Sequence, residues 1–406
     1  MRNFLPADLS PENRGFLRDL VLLGAIAFLA LAAVYLWLLH GALPFPKDGS
    51  SLVVGRDFLN FWMYGRAALG HAAERFYDPN FYHHLLQGFL GANYPRQNWS
   101  YPPDIMLLAA PFGLIGYLPA LLCWTIIGFG VLFIVARGQW KQPALTAALF
   151  VAPATAFCLM SGQSSLLTTA LLVTVFACLD RRPLLAGVLI GLLTLKPQLG
   201  LLLPVMLCAS GRWRVLFMAA ATTAVLFMLS IMLFGLHAWQ AYLELGIPVQ
   251  NSVLSDPRLL AAPFMPTIFM NLHAVGASYT TAMTVQVVIA LLAAVTVFWA
   301  FRHRNGDPDL QQALFFACAM AATPYLLSYD SLPLVFAGLA LLKADALDAA
   351  GRRLVQLVFW LPFLQLGLGI LHIPGPALIA PAFAVWLALR LAGKTFASLF
   401  SERATA

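Results

Sequence analysis

Long apolar stretches separated by short polar segments dominate this chain. A helix that crosses a bilayer needs about 20 apolar residues, and fewer where the chain turns back inside the membrane. On that criterion the pattern predicts an all-helical, polytopic membrane protein with twelve transmembrane segments and both termini on the inner side. The approximate bounds are 18–40, 114–136, 143–161, 164–180, 183–195, 198–210, 214–236, 279–301, 311–327, 331–343, 354–371 and 376–394.

Two segments between these stretches are long enough to form outer loops. The first, about 41–113, is rich in Tyr, Trp, Phe, Pro and Gly, and it includes two predicted amphipathic helices at 57–70 and 79–91. Aromatic residues of this kind favour the membrane interface. The second loop is about 237–278. We expect the whole chain, 1–406, to form a single membrane-embedded domain.

Composition supports the membrane assignment. The chain is 61% hydrophobic and 10% charged, with mean hydropathy +0.81, which excludes an ordinary soluble domain. The predicted inner segments hold most of the Lys and Arg residues, so the net charge of +7 indicates an inside bias rather than nucleic-acid binding. The polar N-terminus lacks a cleavable signal, so 20–40 is expected to be a retained first span. All five cysteines fall in predicted spans, which argues against a disulfide framework or zinc site.

Two predicted hairpins are unusually short. Segments 183–195 and 198–210 would each rise only ~20 Å as helices, against a hydrocarbon core of ~30 Å. Their tip, Lys196-Pro197-Gln198, would therefore lie below the outer surface, and the tip at 328–330 has a similar form. Polar tips are tolerated at that depth only when protein or a watery cavity surrounds them. Both tips predict a cavity that opens toward the outer face.

Asp57 and Lys196 are the two charged residues whose positions suggest chemistry. Asp57 is consistent with an N-cap of the following helix, a partner of Arg56, or a catalytic base at the cavity mouth. A buried ammonium needs an anion, so Lys196 is expected either to bind a ligand phosphate or to pair with an internal acid such as Asp330.

Three further positions have a structural and a functional interpretation. Tyr329 and Asp330 either cap a helix after a break at Pro324 or contact substrate. Gln163 belongs either to a tight outer turn or to a contact with a sugar hydroxyl. The aromatic turn that includes Tyr101 either shapes the re-entry into the membrane or stacks against a sugar.

The motifs of this chain resemble those of glycosyltransferase family 87, and the matching segments occur in the family's order from about 50 to 345. They are Gly55-Arg56-Asp57-Phe58 with Tyr64 and Gly70, Phe76-Tyr77-Asp78-Pro79, Tyr101-Pro102-Pro103, Gly162-Gln163 with Ser165-Leu166-Leu167, Leu195-Lys196-Pro197-Gln198, and Pro324 with Tyr329-Asp330.

The resemblance implies a C-type glycosyltransferase fold that moves a hexose, such as mannose, from a polyprenyl-phosphate donor to a lipid or glycan acceptor on the outer face of the cytoplasmic membrane. It places the catalytic acid at Asp57. The chain departs from the characterised mannosyltransferases of the family at 328–330, where those proteins have a histidine. The resulting expectation is a protein without metal or cofactor whose substrate-binding residues are Arg56, Tyr101, Gln163, Lys196, Gln198, Tyr329 and Asp330.

Two other classes of protein are compatible with the pattern. Many spans, short hairpins and a buried lysine also suit a secondary transporter of a polar or anionic solute. A structural or assembly subunit would have no need of Asp57 or Lys196. Against transport, the two halves of the chain show no repeat, and a large aromatic outer loop has no evident transport role.

Overall fold

The computed structural model describes residues 5–393 apart from Ala7, Asn98, 256–261 and 303–305. The protein is 77% helix, and the described residues form no strand. The α-helices are α1 (Pro11–Trp37), α2 (Arg56–Ala68), α3 (Pro79–Leu90), α4 (Ile105–Gly113), α5 (Tyr117–Gln139), α6 (Pro143–Phe150), α7 (Pro153–Ser161), α8 (Ser165–Cys178), α9 (Pro183–Leu192), α10 (Leu203–Ala209), α11 (Trp213–Phe234), α12 (Leu236–Ala241), α13 (Ile247–Ser255), α14 (Ile268–Ala274), α15 (Tyr279–Arg302), α16 (Pro308–Ala322), α17 (Leu332–Lys343), α18 (Ala349–Ile370) and α19 (Ile379–Leu391).

Short turns connect several of these helices. A π-turn spans Tyr242–Gly246, and the 3₁₀ turns are Ala73–Tyr77, Leu193–Leu195, Pro197–Gly200, Ala262–Phe264, Ser328–Ser331 and Gly375–Leu378. Three of them form the two hairpin tips that the sequence predicted. The pair of turns at 193–200 lies between α9 and α10, and the turn at 328–331 lies between α16 and α17.

Many helix starts follow from local sequence. Proline occupies the first position of α1, α3 and α16, where its missing N–H and fixed φ suit a helix start. The side chains of Ser10, Asp78 and Asp307 precede these prolines and accept hydrogen bonds from free backbone amides of the first turn. These boundaries are therefore set locally, before any tertiary contact forms.

The helices support the membrane character of the chain, whereas the count of twelve spans stays a prediction. Helices α1, α5, α11, α15 and α18 are long and apolar enough to cross a membrane, and α6 with α7, bent by 50° relative to each other, forms a sixth span if the pair crosses as one. The other six predicted segments correspond to the shorter helices α8, α9, α10, α16, α17 and α19.

Burial separates the long helices from the central ones. Only 11–33% of the apolar window of each long helix is buried inside the protein, so most of its surface is left for lipid. In α17, by contrast, every residue from Leu332 to Leu342 is buried, and α16 is buried from Gln312 onward. The core is therefore built around α16 and α17, and the turn that connects them, at 328–331, lies inside the protein.

A second, aromatic core lies under the first outer loop. The predicted amphipathic helices are present as α2 and α3, and Phe58, Trp62, Tyr64, Tyr82 and Trp99 are among its buried rings. Aromatic clusters of this kind bury large areas with defined ring geometry. The loop is thus a folded cap rather than an open connection.

Two glycines fix α2 against α4. A Cβ on Gly65 would stand 2.3 Å from the carbonyl oxygen of Ala109, and one on Gly113 would stand 2.3 Å from the backbone of Gly65. No side chain fits at either position, because the two helix backbones are in direct contact. This close packing holds α2, and with it Asp57, in one orientation.

Candidate active site

Two left-handed glycines bring the start of α2 to the turn between α7 and α8. Gly55 (φ 68°) is the N-cap of α2, and Gly162 (φ 71°) ends α7. A Cβ on Gly162 would lie 3.2 Å from the Cα of Gly55 and 2.7 Å from the Cβ of Phe58. Both positions favour glycine for its backbone conformation, and Gly162 also for space. The contact places Asp57 beside Gln163.

Asp57 is held by two hydrogen bonds from distant parts of the chain. Its Oδ2 accepts one from Gln163 Nε2 at 3.2 Å and one from the Tyr329 hydroxyl at 3.0 Å. The prediction that Asp57 caps α2 is wrong, because the N-cap is Gly55 and Asp57 is already in the first helical turn. Among the described residues, Asp57 also forms no salt bridge with Arg56. Its carboxylate instead faces Gln163 and Tyr329, toward the centre of the protein.

Burial is the main influence on the charge of Asp57. Desolvation raises the pKa of this carboxyl group, and the neighbouring Arg56 and the hydrogen bonds from Tyr329 and Gln163 oppose that rise. The side chain keeps partial exposure to solvent. A partly accessible acid with a raised pKa fits the properties of a general base.

Lys196 and Asp330 form a buried ion pair next to Asp57. Lys196 Nζ lies 2.6 Å from Asp330 Oδ1, and the two side chains are only 2% and 3% exposed. The Ser165 hydroxyl donates to the same carboxylate oxygen at 2.5 Å. Internal pairing, one of the two expectations for Lys196, is thus observed, and Asp330 contacts Lys196 instead of capping α17, whose N-cap is Ser331.

Tyr329 links the acid to the ion pair. Its hydroxyl donates to Asp57, its ring lies 5.2 Å from Lys196 Nζ, and its chain neighbour is Asp330. We refer to Asp57, Gln163, Ser165, Lys196, Tyr329 and Asp330 as the polar cluster. Five of these six residues were predicted as site residues. The structure brings the five together from the start of α2, the turn between α7 and α8, and both hairpin tips.

The remaining predicted residues lie around this cluster or apart from it. Tyr101 is half-buried, contacts Gln163, and has its backbone fixed by hydrogen bonds with the hydroxyls of Tyr64 and Tyr77. Arg56 is half-buried, with its guanidinium 5.8 Å from the ring of Phe264.

Gln198 is half-buried on the 3₁₀ turn after Lys196. Among the described residues, no hydrogen bond joins its side chain to the polar cluster.

Ser165 and Tyr325 belong to the site but were not predicted as site residues. Ser165 follows Gly162-Gln163 within one family motif, so its position was a usable signal. Tyr325 lies near Asp57, Asp330 and Tyr101, and no motif marked it.

Trp99 lies in the aromatic turn that includes Tyr101. It packs against the rings of Phe76 and Tyr82 inside the aromatic core, which favours the structural interpretation of this turn.

The site also has a small cavity beside it. The cavity lies between α5, α7 and α8, and its lining includes Trp124, Cys158, Gly162 and Gln163. Among the described residues, no group of three or more His, Cys, Asp or Glu side chains is arranged to hold a metal ion. The polar groups gathered in this part of the protein are carboxylates, an ammonium, phenols, a serine hydroxyl and an amide.

Comparison with known proteins gives one match. The model of glycosyltransferase family 87 matches residues 99–328, more than half of the chain, and this segment includes Gln163, Lys196 and the first residue of the 328–331 turn. No curated protein and no solved structure is significantly similar to the chain. Three of the six residues of the polar cluster, Gln163, Ser165 and Lys196, lie within the matched segment. Because the match covers more than half of the chain, the protein belongs to glycosyltransferase family 87.

Proposed function

We propose that this glycosyltransferase transfers a hexose from a polyprenyl-phosphate donor to a hydroxyl group of a lipid or glycan acceptor at the outer face of the cytoplasmic membrane. Family membership decides for an enzyme over a secondary transporter. The observation that carries the finer proposal is the placement of Asp57, a partly exposed acid, beside the buried pair Lys196–Asp330. The whole chain would act as one membrane-embedded domain, with mannose as one candidate hexose.

In the proposed reaction Asp57 acts as the general base. Its carboxylate removes the proton from the acceptor hydroxyl, whose oxygen attacks the anomeric carbon of the donor sugar. The bond between that carbon and the phosphate oxygen breaks as the new glycosidic bond forms, and polyprenyl phosphate leaves. Gln163 and Tyr329 hold the carboxylate in position through their hydrogen bonds to Oδ2.

Lys196 would stabilise the negative charge that grows on the leaving phosphate. In the absence of donor its ammonium is neutralised by Asp330. A lipid phosphate arriving from the bilayer would replace Asp330 as the ion-pair partner of Lys196. The Ser165 hydroxyl would continue to donate its hydrogen bond to Asp330. Arg56, Tyr101 and Gln198 are proposed as further substrate contacts at the edge of the polar cluster.

An outer site requires a donor that is carried across the membrane, because nucleotide sugars are cytoplasmic. The purified protein in detergent should therefore use synthetic polyprenyl-phosphate sugars and leave nucleotide sugars unused, with the product identified by mass spectrometry. Transfer from nucleotide sugars alone would contradict the proposed donor. Testing several hexoses in parallel would identify the sugar.

The orientation of the site can be tested by labelling. A cysteine introduced at Ser51 should react with an impermeant thiol reagent in intact cells, and a cysteine at Asp307 should react only after the membrane is opened. The parent chain, with its five native cysteines, supplies the background. Labelling of Asp307→Cys from outside would overturn the proposed topology.

A further inference from the structure

A second buried carboxylate, Asp104, lies outside the polar cluster and has no role in the reaction described above. Asp104 precedes α4, is 9% exposed, and its Oδ1 has no hydrogen-bond partner among the described residues. None of the salt bridges between described residues includes it. The backbone amides of Asp104 and Ile105 lie close enough to favour the charged carboxylate, but no described group donates to Oδ1 with hydrogen-bond geometry. A buried acceptor atom without a donor is costly, because it has lost its hydration.

The residue opposite Asp104 is Thr194, on the hairpin tip that holds Lys196. The Thr194 hydroxyl faces the carboxylate closely enough to favour its charged form, but Thr194 Oγ1 also lacks a partner with hydrogen-bond geometry. Thr194 is separated from Lys196 by one residue, so their Cα atoms are at most about 7 Å apart. The two unsatisfied groups are therefore next to the proposed phosphate site.

The surroundings of these two groups are aromatic. Tyr77 and Tyr242 lie near Asp104, and their rings pack edge to face at 5.9 Å. Tyr77 donates its hydroxyl to the Tyr101 carbonyl, so its position is fixed. Tyr242 is half-buried and keeps part of its surface free.

We propose that Asp104 and Thr194 form a subsite for hydroxyl groups of a sugar beside the hairpin tip that holds Lys196. A carboxylate accepts hydrogen bonds only, and a threonine hydroxyl both donates and accepts, which matches two neighbouring sugar hydroxyls. The partly exposed ring of Tyr242 supplies apolar surface that the carbon face of a sugar can cover. This inference rests on the proposed function, since either the donor hexose or a sugar of the acceptor supplies these hydroxyls.

The subsite is tested with two nearly isosteric variants, Asp104→Asn and Thr194→Val. Asp104→Asn should raise KM about 10-fold or more for the substrate that supplies the hydroxyls, because a hydrogen bond to a charged group is lost in the bound state. Thr194→Val removes a bond between neutral groups and should raise the same KM about threefold or more, and both variants should keep kcat within about threefold of the parent. Varying donor and acceptor separately distinguishes the two sources. Glu244→Gln, an exposed acid on the neighbouring turn, is the matched control and should leave both KM values unchanged.

Deoxy sugars sharpen the test. A donor or acceptor lacking the recognised hydroxyl should be used poorly by the parent, and Asp104→Asn should cause no further loss with it. Equal KM values for parent and Asp104→Asn with every substrate would overturn the proposal and indicate that water satisfies Asp104. A loss of kcat alone, or turnover that requires a divalent cation in the parent and not in the variant, would also overturn it.

A binding measurement separates this inference from the proposed function. If no polyprenyl-phosphate sugar supports turnover, thermal stabilisation of the detergent-solubilised protein by methyl hexosides still decides the question. Stabilisation of the parent and of Glu244→Gln, with at least a 10-fold weaker response in Asp104→Asn, supports the subsite. Identical responses of all three proteins would refute it.

Discussion

Two carboxylates at opposite ends of the molecule show how differently one residue type is used. Asp345 follows α17 and accepts hydrogen bonds from Asn13 Nδ2 at 2.6 Å and from Ser10 Oγ at 2.9 Å. Asp57, at the other end, also accepts two side-chain hydrogen bonds. Asp345 is fully exposed and its hydrogen bonds lower its pKa, whereas burial raises the pKa of Asp57 in spite of such bonds.

The difference indicates a division between stability and function. Hydrogen bonds to Asp345 tie the start of α1 to the end of α17 and favour the charged acid, so this contact supports the fold. Asp57 is kept where its charged form is disfavoured, which costs stability and is expected of a group that exchanges a proton. The following predictions test that division, beginning with the largest effect.

Removing the charge should greatly reduce turnover at Asp57 and leave it nearly unchanged at Asp345. Asp57→Asn keeps the side-chain shape but removes the basic oxygen, so turnover should fall by roughly 10²-fold or more. Asp345→Asn should keep turnover within about twofold of the parent. Both are measured with the same polyprenyl-phosphate donor, after confirming equal yields of folded protein. Near-normal turnover of Asp57→Asn would remove it from the proposed mechanism.

Breaking the buried ion pair between Lys196 and Asp330 should destabilise the protein more than removing the charge of the exposed Asp345. Lys196→Met or Asp330→Asn leaves an unpaired charge inside the protein, and the expected cost is about 3–5 kcal/mol for each single variant. The double variant removes both charges and should be more stable than either single one. Unfolding in detergent measures this, and additive losses in the double variant would show that the pair is not a unit.

The pH profile should reveal the raised pKa of Asp57. A base works in its charged form, so kcat/KM should fall as the pH drops through a value above the ordinary aspartate range near 4. Tyr329→Phe removes a hydrogen bond that favours the charged form, so its acid limb should move to still higher pH. An acid limb that stays in place in Tyr329→Phe would argue against titration of Asp57.

The smallest effect is expected at Asp345. Because its folded pKa is lowered, its contribution to stability is present above the unfolded pKa and is lost as the pH falls through the folded pKa. Asp345→Asn should therefore melt slightly below the parent at neutral pH, and the difference should shrink in acid. Asn tolerates the left-handed backbone at this position (φ 52°), so the variant isolates the charge. A difference in melting temperature that is constant with pH would exclude this linkage.

Much of the fold was predictable because it is encoded locally. Apolar length gave the positions of the long helices, and α2 and α3 lie close to the predicted amphipathic segments. The short motifs singled out Asp57, Gln163, Lys196, Tyr329 and Asp330, which do lie together. The motifs and their order along the chain could identify these residues, because each motif contains the glycine or proline that shapes its own turn.

The partners of these residues were not predictable in the same way. Lys196 and Asp330 are 134 positions apart, and Tyr329 is 272 positions from Asp57. The sequence left open whether Asp57 caps a helix and whether Lys196 meets a phosphate or an acid. Only the packing of α2 and the two hairpin tips against one another decides which side chains meet.

The sequence by itself determined that this chain is helical, apolar and a match to one glycosyltransferase family. It did not determine which apolar helices face lipid and which face protein, because lipid tails are as apolar as leucine and both environments accept the same residues. That choice, made only in the tertiary structure, surrounds α16 and α17 with protein. It thereby buries the turn between them, where Tyr329 and Asp330 meet Asp57 and Lys196.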